Sequence, residues 1–127
     1  EAMELCQLKS PHEVMTLSVM ADRQTLKLPT DKILYIDHQN RVTRIHTAER
    51  VIPVSGGFQE VTAALQKDKR FLACYRGILI NMDHISHVDS QTFRLINGEE
   101  LPISLRNRKQ LREVYRQYVF SGMEGIV

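Results

Sequence analysis

Short apolar runs between residues 71 and 106, separated by turn residues, limit most strongly how this chain can fold. The runs at 77–80 and 92–96 flank a polar middle, and the second ends at Asn97-Gly98, just before the run at 101–104. Asn-Gly between apolar strands is the strongest short-range hairpin signal, because both central residues of a type I′ turn need a positive φ. We therefore predict a β-hairpin closed by a type I′ turn at Asn97-Gly98.

The segments before this stretch also have the features of short strands. Apolar and polar residues alternate from residue 13 to 19 and again from 25 to 28, where Pro29 interrupts the pattern. Such alternation indicates half-buried strands, so we predict a hairpin with its turn at 21–24. Three further strands are predicted by the buried-type run at 33–36, the alternation at 41–46 and the short edge segment at 51–54.

Helical spacing occurs at two places. Phe58, Val61, Ala64 and Leu65 share one face of a predicted helix over 58–67, which Ser55 or Gly57 can cap. A second helix is predicted between residues 104 and 120, with Leu111, Val114, Tyr115 and Tyr118 at helical spacing. Eight to ten short strands with these two helices, and no alternation of strands with helices, predict a mainly β fold.

The length of 127 residues fits one domain with its own core. We expect a linker or edge segment at 1–12, a domain at 13–120 and a frayed tail at 121–127. Cys6 and Cys74 stand far apart without metal-type spacing, which is typical of reduced thiols in a cytosolic protein. No apolar run approaches the roughly 20 residues of a membrane span, so a cytoplasmic protein is expected.

Charge is unevenly distributed along the chain. Residues 1–40 hold four basic and six acidic side chains, whereas residues 41–127 hold thirteen basic and nine acidic ones. Ten of those thirteen are arginines, and guanidinium groups favour bidentate contact with phosphates or base edges. A basic second part suggests nucleic acid as a partner, although solvated surface charges give the same pattern.

No constellation for catalysis or metal binding emerges. His84 and His87 are three apart, which points them to opposite faces of a strand. Asp83, His84 and Ser104 lack the G-x-S-x-G turn of hydrolases, and Ser55-Gly56-Gly57 lacks a complete phosphate-binding motif. We expect a protein that is not an enzyme and needs neither a cofactor nor a metal.

Three motifs in order resemble the LytTR family of bacterial DNA-binding domains. The first is the run at 33–37 followed by residues 40–43, and the second is Phe71 with residues 75–81 and Ile85. The third is the run at 97–104 followed by Arg106 and Arg108. The resemblance spans about residues 13–118 and implies small stacked antiparallel sheets whose loops enter successive major grooves of duplex DNA.

The resemblance also implies roles for individual residues. Base-reading loops fall at Asn40-Arg41, at Arg76 and at Arg106, and arginine can bridge guanine O6 and N7. Arg44, Arg108 and Lys109 are expected to hold phosphates, which fixes the register on the duplex. Asn81 matches the family but is assigned to holding a turn through side-chain-to-backbone bonds.

The chain departs from the family around the second loop. Position 75 is often histidine and position 77 often serine in that family, whereas this chain has Tyr75 and Gly77, and Ile78 replaces an aromatic residue. Two polar groups are therefore missing beside Arg76. These differences point to a different operator sequence.

Together these features predict the output domain of a response regulator in a two-component system, binding promoter DNA as two copies on a direct repeat. The resemblance assigns most of the dimerisation to a separate phosphorylated domain, so a weakly associating monomer is expected. The alternative from another class is a β-rich protein-interaction or ligand-sensing module that does not bind nucleic acid.

Overall fold

A computed structural model of the protein describes residues 16–126, with side chains described through residue 121. The predicted linker at 1–12, residues 13–15 of the predicted first strand, and Cys6 lie outside the described residues. Ten strands and two α-helices form in the described part, and this confirms the mainly β prediction. The elements are β1 Thr16–Ala21, β2 Gln24–Pro29, β3 Ile33–Gln39, β4 Val42–Thr47, β5 Val51–Val54, α1 Phe58–Thr62, β6 Phe71–Tyr75, β7 Ile78–Asn81, β8 Ile85–Val88, β9 Thr92–Leu95, β10 Glu100–Pro102 and α2 Arg108–Ile126.

The predicted hairpin of β1 and β2 is present. Ala21 pairs with Gln24, which leaves a two-residue turn of Asp22 and Arg23. Both turn residues have a positive φ, 53° and 66°. Two positive φ values in succession define a type I′ turn, whose twist matches that of the flanking strands.

The largest sheet contains five antiparallel strands in the order β5-β4-β3-β7-β6. Strands β3 and β7 are neighbours, and Asp37 pairs with Ile78. Because β3 leads into β4 and β6 leads into β7 through two-residue turns, both turns lie at the same end of this sheet. We call it the arginine end, because its turns are Asn40-Arg41 and Arg76-Gly77.

The five-stranded sheet is the middle of three layers. Strand β3 is buried on both of its faces, and a register shift between Ile33 and Tyr35 accompanies the placement of both Leu34 and Tyr35 in the second core. One face packs on the β1–β2 hairpin and α1, and the other on the three-stranded sheet and α2. The first core contains Leu17, Val19, Leu28, Ile33, Ile36, Ile45, Ile52, Val54, Val61, Leu65, Phe71 and Leu79. The second contains Leu34, Tyr35, Cys74, Ile80, Met82, Ile85, Phe93, Leu95, Leu101 and Ile103.

The third sheet, in the order β10-β9-β8, contains the hairpin predicted around Asn97-Gly98. Its predicted turn type was wrong, because only Gly98 has a positive φ, of 94°. The N–H of Gly98 donates to the carbonyl of Leu95 over 2.9 Å, and the N–H of Leu95 donates to the carbonyl of Glu99 over 2.8 Å. The loop therefore has three residues, Ile96 to Gly98, and in such a loop only the last needs the left-handed region.

Both helices differ from their predicted bounds. The internal helix is α-helical only to Thr62 and continues as a 3-10 turn over Ala63–Leu65 instead of reaching residue 67. The hydroxyl of Thr62 donates to the carbonyl of Phe58 over 2.8 Å, a bond that competes with regular helix geometry. The C-terminal helix begins at Arg108, four residues after the predicted start at 104, and runs to Ile126, six residues past the predicted end at 120.

The buried face of α2 was predicted correctly except at one position. Leu111, Tyr115 and Tyr118 pack on the second core, and their spacings of four and three residues place them on one face of the helix. Val114 was placed with them, but it is 38% exposed and faces away from that core.

Asn81 holds a turn, as predicted, and it is fully buried at the end of β7. Its Nδ2 donates to the carbonyl of Ile33 over 2.9 Å, and its Oδ1 accepts from the N–H of Asp83 over 3.0 Å. These bonds tie the chain after β7 to the beginning of β3. Asn81 thus lies at the end of the sheet opposite the arginine end.

Candidate nucleic-acid interface

The first predicted base-reading loop is a tight turn between β3 and β4. Gln39 pairs with Val42, and the two residues between them, Asn40 and Arg41, have φ values of 51° and 67°. Asparagine tolerates a positive φ because its short side-chain amide can form hydrogen bonds with the nearby backbone, and arginine lacks that advantage. Both side chains are exposed, and the turn presents them outward at the arginine end.

The second predicted loop lies beside the first. Tyr75 pairs with Ile78, so Arg76 and Gly77 form the turn, and Gly77 supplies the positive φ of 74°. The carbonyl of Gly77 accepts a hydrogen bond from the N–H of His38 over 3.1 Å. Because His38 precedes Asn40 by two residues, this bond fixes the two turns next to each other.

The third predicted loop reaches the same end by another route. After β10 the N–H of Ser104 donates to the carbonyl of Cys74 over 2.7 Å, immediately before the turn that holds Arg76. The N–H of Ile103 donates to the carbonyl of Gln91 over 2.9 Å, which holds the segment against the third sheet. Arg106 follows two residues later and is exposed. The fold therefore brings Arg41, Arg76 and Arg106 to one end of the molecule.

The guanidinium groups of the three arginines have no partner in the part of the chain that the structure describes. Among residues 16–126, none of them forms a hydrogen bond or an ion pair with another side chain or with the backbone. Other arginines in the same range are paired, including Arg70 with Asp68 and Arg94 with Glu100. The unpaired guanidiniums keep all their donors available for a partner outside the chain.

Arg44, which was expected to hold a phosphate, braces the first turn. Its Nε and Nη2 donate to the two carboxylate oxygens of Asp37 over 3.2 and 3.0 Å, and Nη2 also donates to Oε1 of Gln39 over 2.6 Å. Its side chain is 32% exposed. This bidentate pair clamps β3 to β4 just below Asn40 and Arg41.

Sequence reasoning missed the buried group at the centre of this brace. Asp37 is buried and also lies 3.0 Å from Nε2 of His46, whose ring stacks on Tyr35 at a centroid distance of 3.9 Å. Burial and the nearby Glu99 raise the pKa of Tyr35, so its phenol stays protonated and donates to Glu99. A signal was available, because a two-residue turn at 40–41 puts Asp37 directly opposite Arg44.

A family model described as the LytTr DNA-binding domain matches residues 23–116 of this chain. The matched part includes all three arginine-bearing segments and the whole of strands β2 to β10. The chain belongs to the LytTR family.

The LytTR fold is also found by comparison with solved structures. One match is the LytTr DNA-binding domain of a putative methyl-accepting/DNA response regulator from Bacillus cereus, with 20% sequence identity and a TM-score of 0.64. The alignment covers 78% of this chain and 94% of the Bacillus cereus domain. At this identity the likeness shows a shared fold. No protein with a curated description matches the chain.

The remaining expected phosphate contacts of the LytTR domain lie at the beginning of α2. Lys109 is exposed and lines, with Arg106, an open groove of about 780 Å³ along the helix. The carboxylate of Glu113 lies in the same groove but is bonded to Arg116 and Gln117 over 2.9 and 3.0 Å. Arg108 is half-buried, with Nη2 within 3.4 Å of the carbonyl of Ile103.

Within residues 16–126, no helix combines the length and the apolar character that crossing a bilayer requires.

Proposed function

We propose that this LytTR domain is the output domain of a bacterial response regulator, and that it binds duplex DNA with sequence preference through its arginine end. One observation carries the proposal most directly: three exposed arginines that have no partner in the described part of the chain lie together on segments that backbone hydrogen bonds hold in place. Unpaired charges cost little stability on a surface. Three of them on fixed turns form a positively charged surface that attracts a polyanion.

The side chains suit base readout in the major groove. Arg41, Arg76 and Arg106 can each donate two hydrogen bonds to O6 and N7 of a guanine, and Asn40 can make the matching pair with N6 and N7 of an adenine. Rigid turns favour such contacts, because little conformational entropy is lost when a fixed backbone presents the side chain. Arg76 stands beside Tyr75 and Gly77, so its contact is the one we expect to differ from the family pattern.

Phosphate contacts in this proposal come from three other basic residues. Lys109 has neither a hydrogen bond nor an ion pair among the residues whose side chains are described. Arg108 already donates from Nη2 to the carbonyl of Ile103 and would reach a phosphate with its other donors. Arg44 would use Nη1, because Nε and Nη2 already bond Asp37 and Gln39. Its main contribution is then to hold the first turn, and the phosphate contact is secondary.

We further propose that two copies of the full regulator bind a direct repeat in a promoter, with little contact between the DNA-binding domains themselves. The isolated domain should then sediment as a monomer at micromolar concentration. A tight dimer of this chain in analytical ultracentrifugation would contradict this part of the proposal without affecting DNA binding.

The test of the function is a titration of a labelled duplex at several salt concentrations. With three phosphate contacts, log affinity should fall linearly with log salt with a slope of roughly −3 or steeper. A pool of random duplexes should yield a preferred sequence after selection. If neither the selected pool nor random duplex binds at low salt, the alternative of a protein- or ligand-binding module replaces this proposal.

A further inference from the structure

Two hairpins of this chain are closed by turns of the same geometry, and each turn has arginine at its second central position. Asp22-Arg23 has φ values of 53° and 66°, and Asn40-Arg41 has 51° and 67°. These four are the only non-glycine residues with positive φ within residues 16–126. Turns of this type favour glycine at the second central position, yet both hairpins have arginine there. Strain of this kind persists chiefly at functional sites, so Arg23 needs an explanation beyond stability.

The path of the β1–β2 hairpin takes its turn to the arginine end. Its open end, where Thr16 pairs with Pro29, joins the beginning of β3 through the 3-10 turn at Thr30–Lys32. The beginning of β3 lies at the opposite end of the sheet, where Asn81 binds the carbonyl of Ile33. Six residues of strand separate the two ends of the hairpin, about 20 Å at 3.3 Å per residue.

A second contact fixes the hairpin near its turn. The carbonyl of Met20 accepts a hydrogen bond from the N–H of Ser55 over 2.7 Å. Ser55 follows Val54, which pairs with Thr43, the second residue after Arg41. The turn of Asp22 and Arg23 therefore projects past the end of β5, on the same side of the molecule as the Asn40-Arg41 turn.

We propose that Arg23 is a fourth DNA contact of this domain and that it binds a backbone phosphate flanking the sequence read by the other arginines. The proposal rests on the function proposed above. Arg23 is exposed and, within residues 16–126, has neither a hydrogen bond nor an ion pair. Its hairpin packs on one face of the five-stranded sheet, and its turn lies beside the end of β5, the edge strand of that sheet. Arg23 is therefore placed to reach the duplex beside the base-reading turns. Asp22, in the same turn, opposes the contact through its charge, and the variants below use this opposition.

The decisive variant is Arg23→Gly, because glycine adopts the positive φ without strain and removes only the side chain. The melting temperature should stay the same or rise. Affinity for every duplex should fall by roughly fivefold to tenfold at about 0.1 M salt, and the slope of log affinity against log salt should become about 0.9 shallower. The ratio of affinity for the selected sequence to affinity for a scrambled one should not change, because phosphate contacts carry no sequence information.

Two further variants make the experiment specific. Lys27→Gln removes the same charge from the exposed middle of the same hairpin and should leave affinity and slope as in the wild type. Asp22→Asn removes the opposing charge at the turn and should strengthen binding to all duplexes. The proposal is overturned if Arg23→Gly and Lys27→Gln have equal salt slopes, if Asp22→Asn weakens binding, or if Arg23→Gly changes the sequence ratio. Failure of the wild-type domain to bind any duplex would instead overturn the proposed function itself.

Discussion

The N–H of His38 donates to the carbonyl of Gly77 over 3.1 Å, and this bond connects two turns that are more than thirty residues apart in the chain. It extends the pairing of β3 with β7 beyond Asp37 and Ile78, to Gly77 in the second turn and to His38, two residues before Asn40. The position of Arg76 relative to Arg41 is thus set by sheet pairing and not by flexible loops. Spacing between base-reading side chains is therefore a property of the sheet itself.

Gly77→Ala should disturb this spacing. The φ of 74° is unfavourable for alanine, although the added Cβ would meet the carbonyl of His38 at an acceptable 3.8 Å. Backbone strain of this kind costs about 1–3 kcal/mol, which urea denaturation would detect as a lower midpoint. Preference for the selected sequence should weaken as well, because Arg76 moves relative to Arg41.

Gly98→Ala is the matched control for that variant. Gly98 has a φ of 94° and open space around it, but its turn is joined through Ile96 to His84, away from the arginine end. Its cost in stability should be similar, whereas sequence preference should be unchanged. Equal loss of preference in the two variants would show that stability alone accounts for the effect.

Asp37→Asn should weaken both the fold and the first turn. The substitution leaves Arg44 without its bidentate partner and changes the group that faces His46. Loss of a charged hydrogen-bonded pair that is partly buried should lower the free energy of unfolding by about 1–3 kcal/mol. Glu100→Gln, which breaks the exposed pair with Arg94, should change stability and sequence preference little. Equal effects of the two variants would refute the bracing role of Asp37.

The free energy of unfolding should fall in acid partly because of Asp68. Hydrogen bonds from Arg70 hold the pKa of the Asp68 carboxyl below its ordinary value of 3.8. A lowered pKa in the folded state stabilises the fold above the ordinary pKa, and that stabilisation is lost as the pH drops below it. Asp68→Asn and Arg70→Met should both flatten the acid limb of stability, measured by urea denaturation at a series of pH values. Curves parallel to that of the wild type would exclude this pair as a source of the acid limb.

Cys74 should be chemically inert in the folded protein. It is fully buried beneath the third sheet, and burial raises the pKa of its thiol to about 12. Only thiolate reacts with iodoacetamide, so in a Cys6→Ser background alkylation should require unfolding and proceed roughly a thousandfold or more slower than in concentrated urea. Mass spectrometry over time would measure this. Comparable rates in the two conditions would place Cys74 outside the core.

Local patterns in the sequence were enough to predict most of the strands. Alternation with period two fixes which residues face a core, and the hairpin of β1 and β2 follows from it directly. Turn geometry was less accessible. The type I′ turn expected at Asn97-Gly98 occurs instead at Asp22-Arg23 and Asn40-Arg41, because loop length depends on the register of the two strands that the loop joins and not on the dipeptide alone.

The interface was only partly predictable for the same reason. Resemblance to the family pointed to Arg41, Arg76 and Arg106 as base contacts, an assignment that stays a prediction. Their placement at one end depends on β3 lying next to β7, two strands that are not consecutive in the chain. No local sequence pattern predicts that β3 and β7 are neighbours in the sheet. The exposure of Val114 was missed because helical spacing alone does not show which side of α2 meets the core.

Binding of Arg41→Ala and Arg106→Ala to a selected duplex and to a scrambled one tests the central claim most directly. Each loss of a base contact should cost about 1–3 kcal/mol on the selected duplex and relax preference at one base pair, while the melting temperature stays within a few degrees. Arg50→Ala serves as the control, because Arg50 is an exposed arginine in the turn between β4 and β5, at the opposite end of the sheet. The account predicts a lower ratio of selected to scrambled affinity for both variants and an unchanged ratio for Arg50→Ala. An unchanged ratio for Arg41→Ala and Arg106→Ala would contradict it, even if the protein still bound DNA.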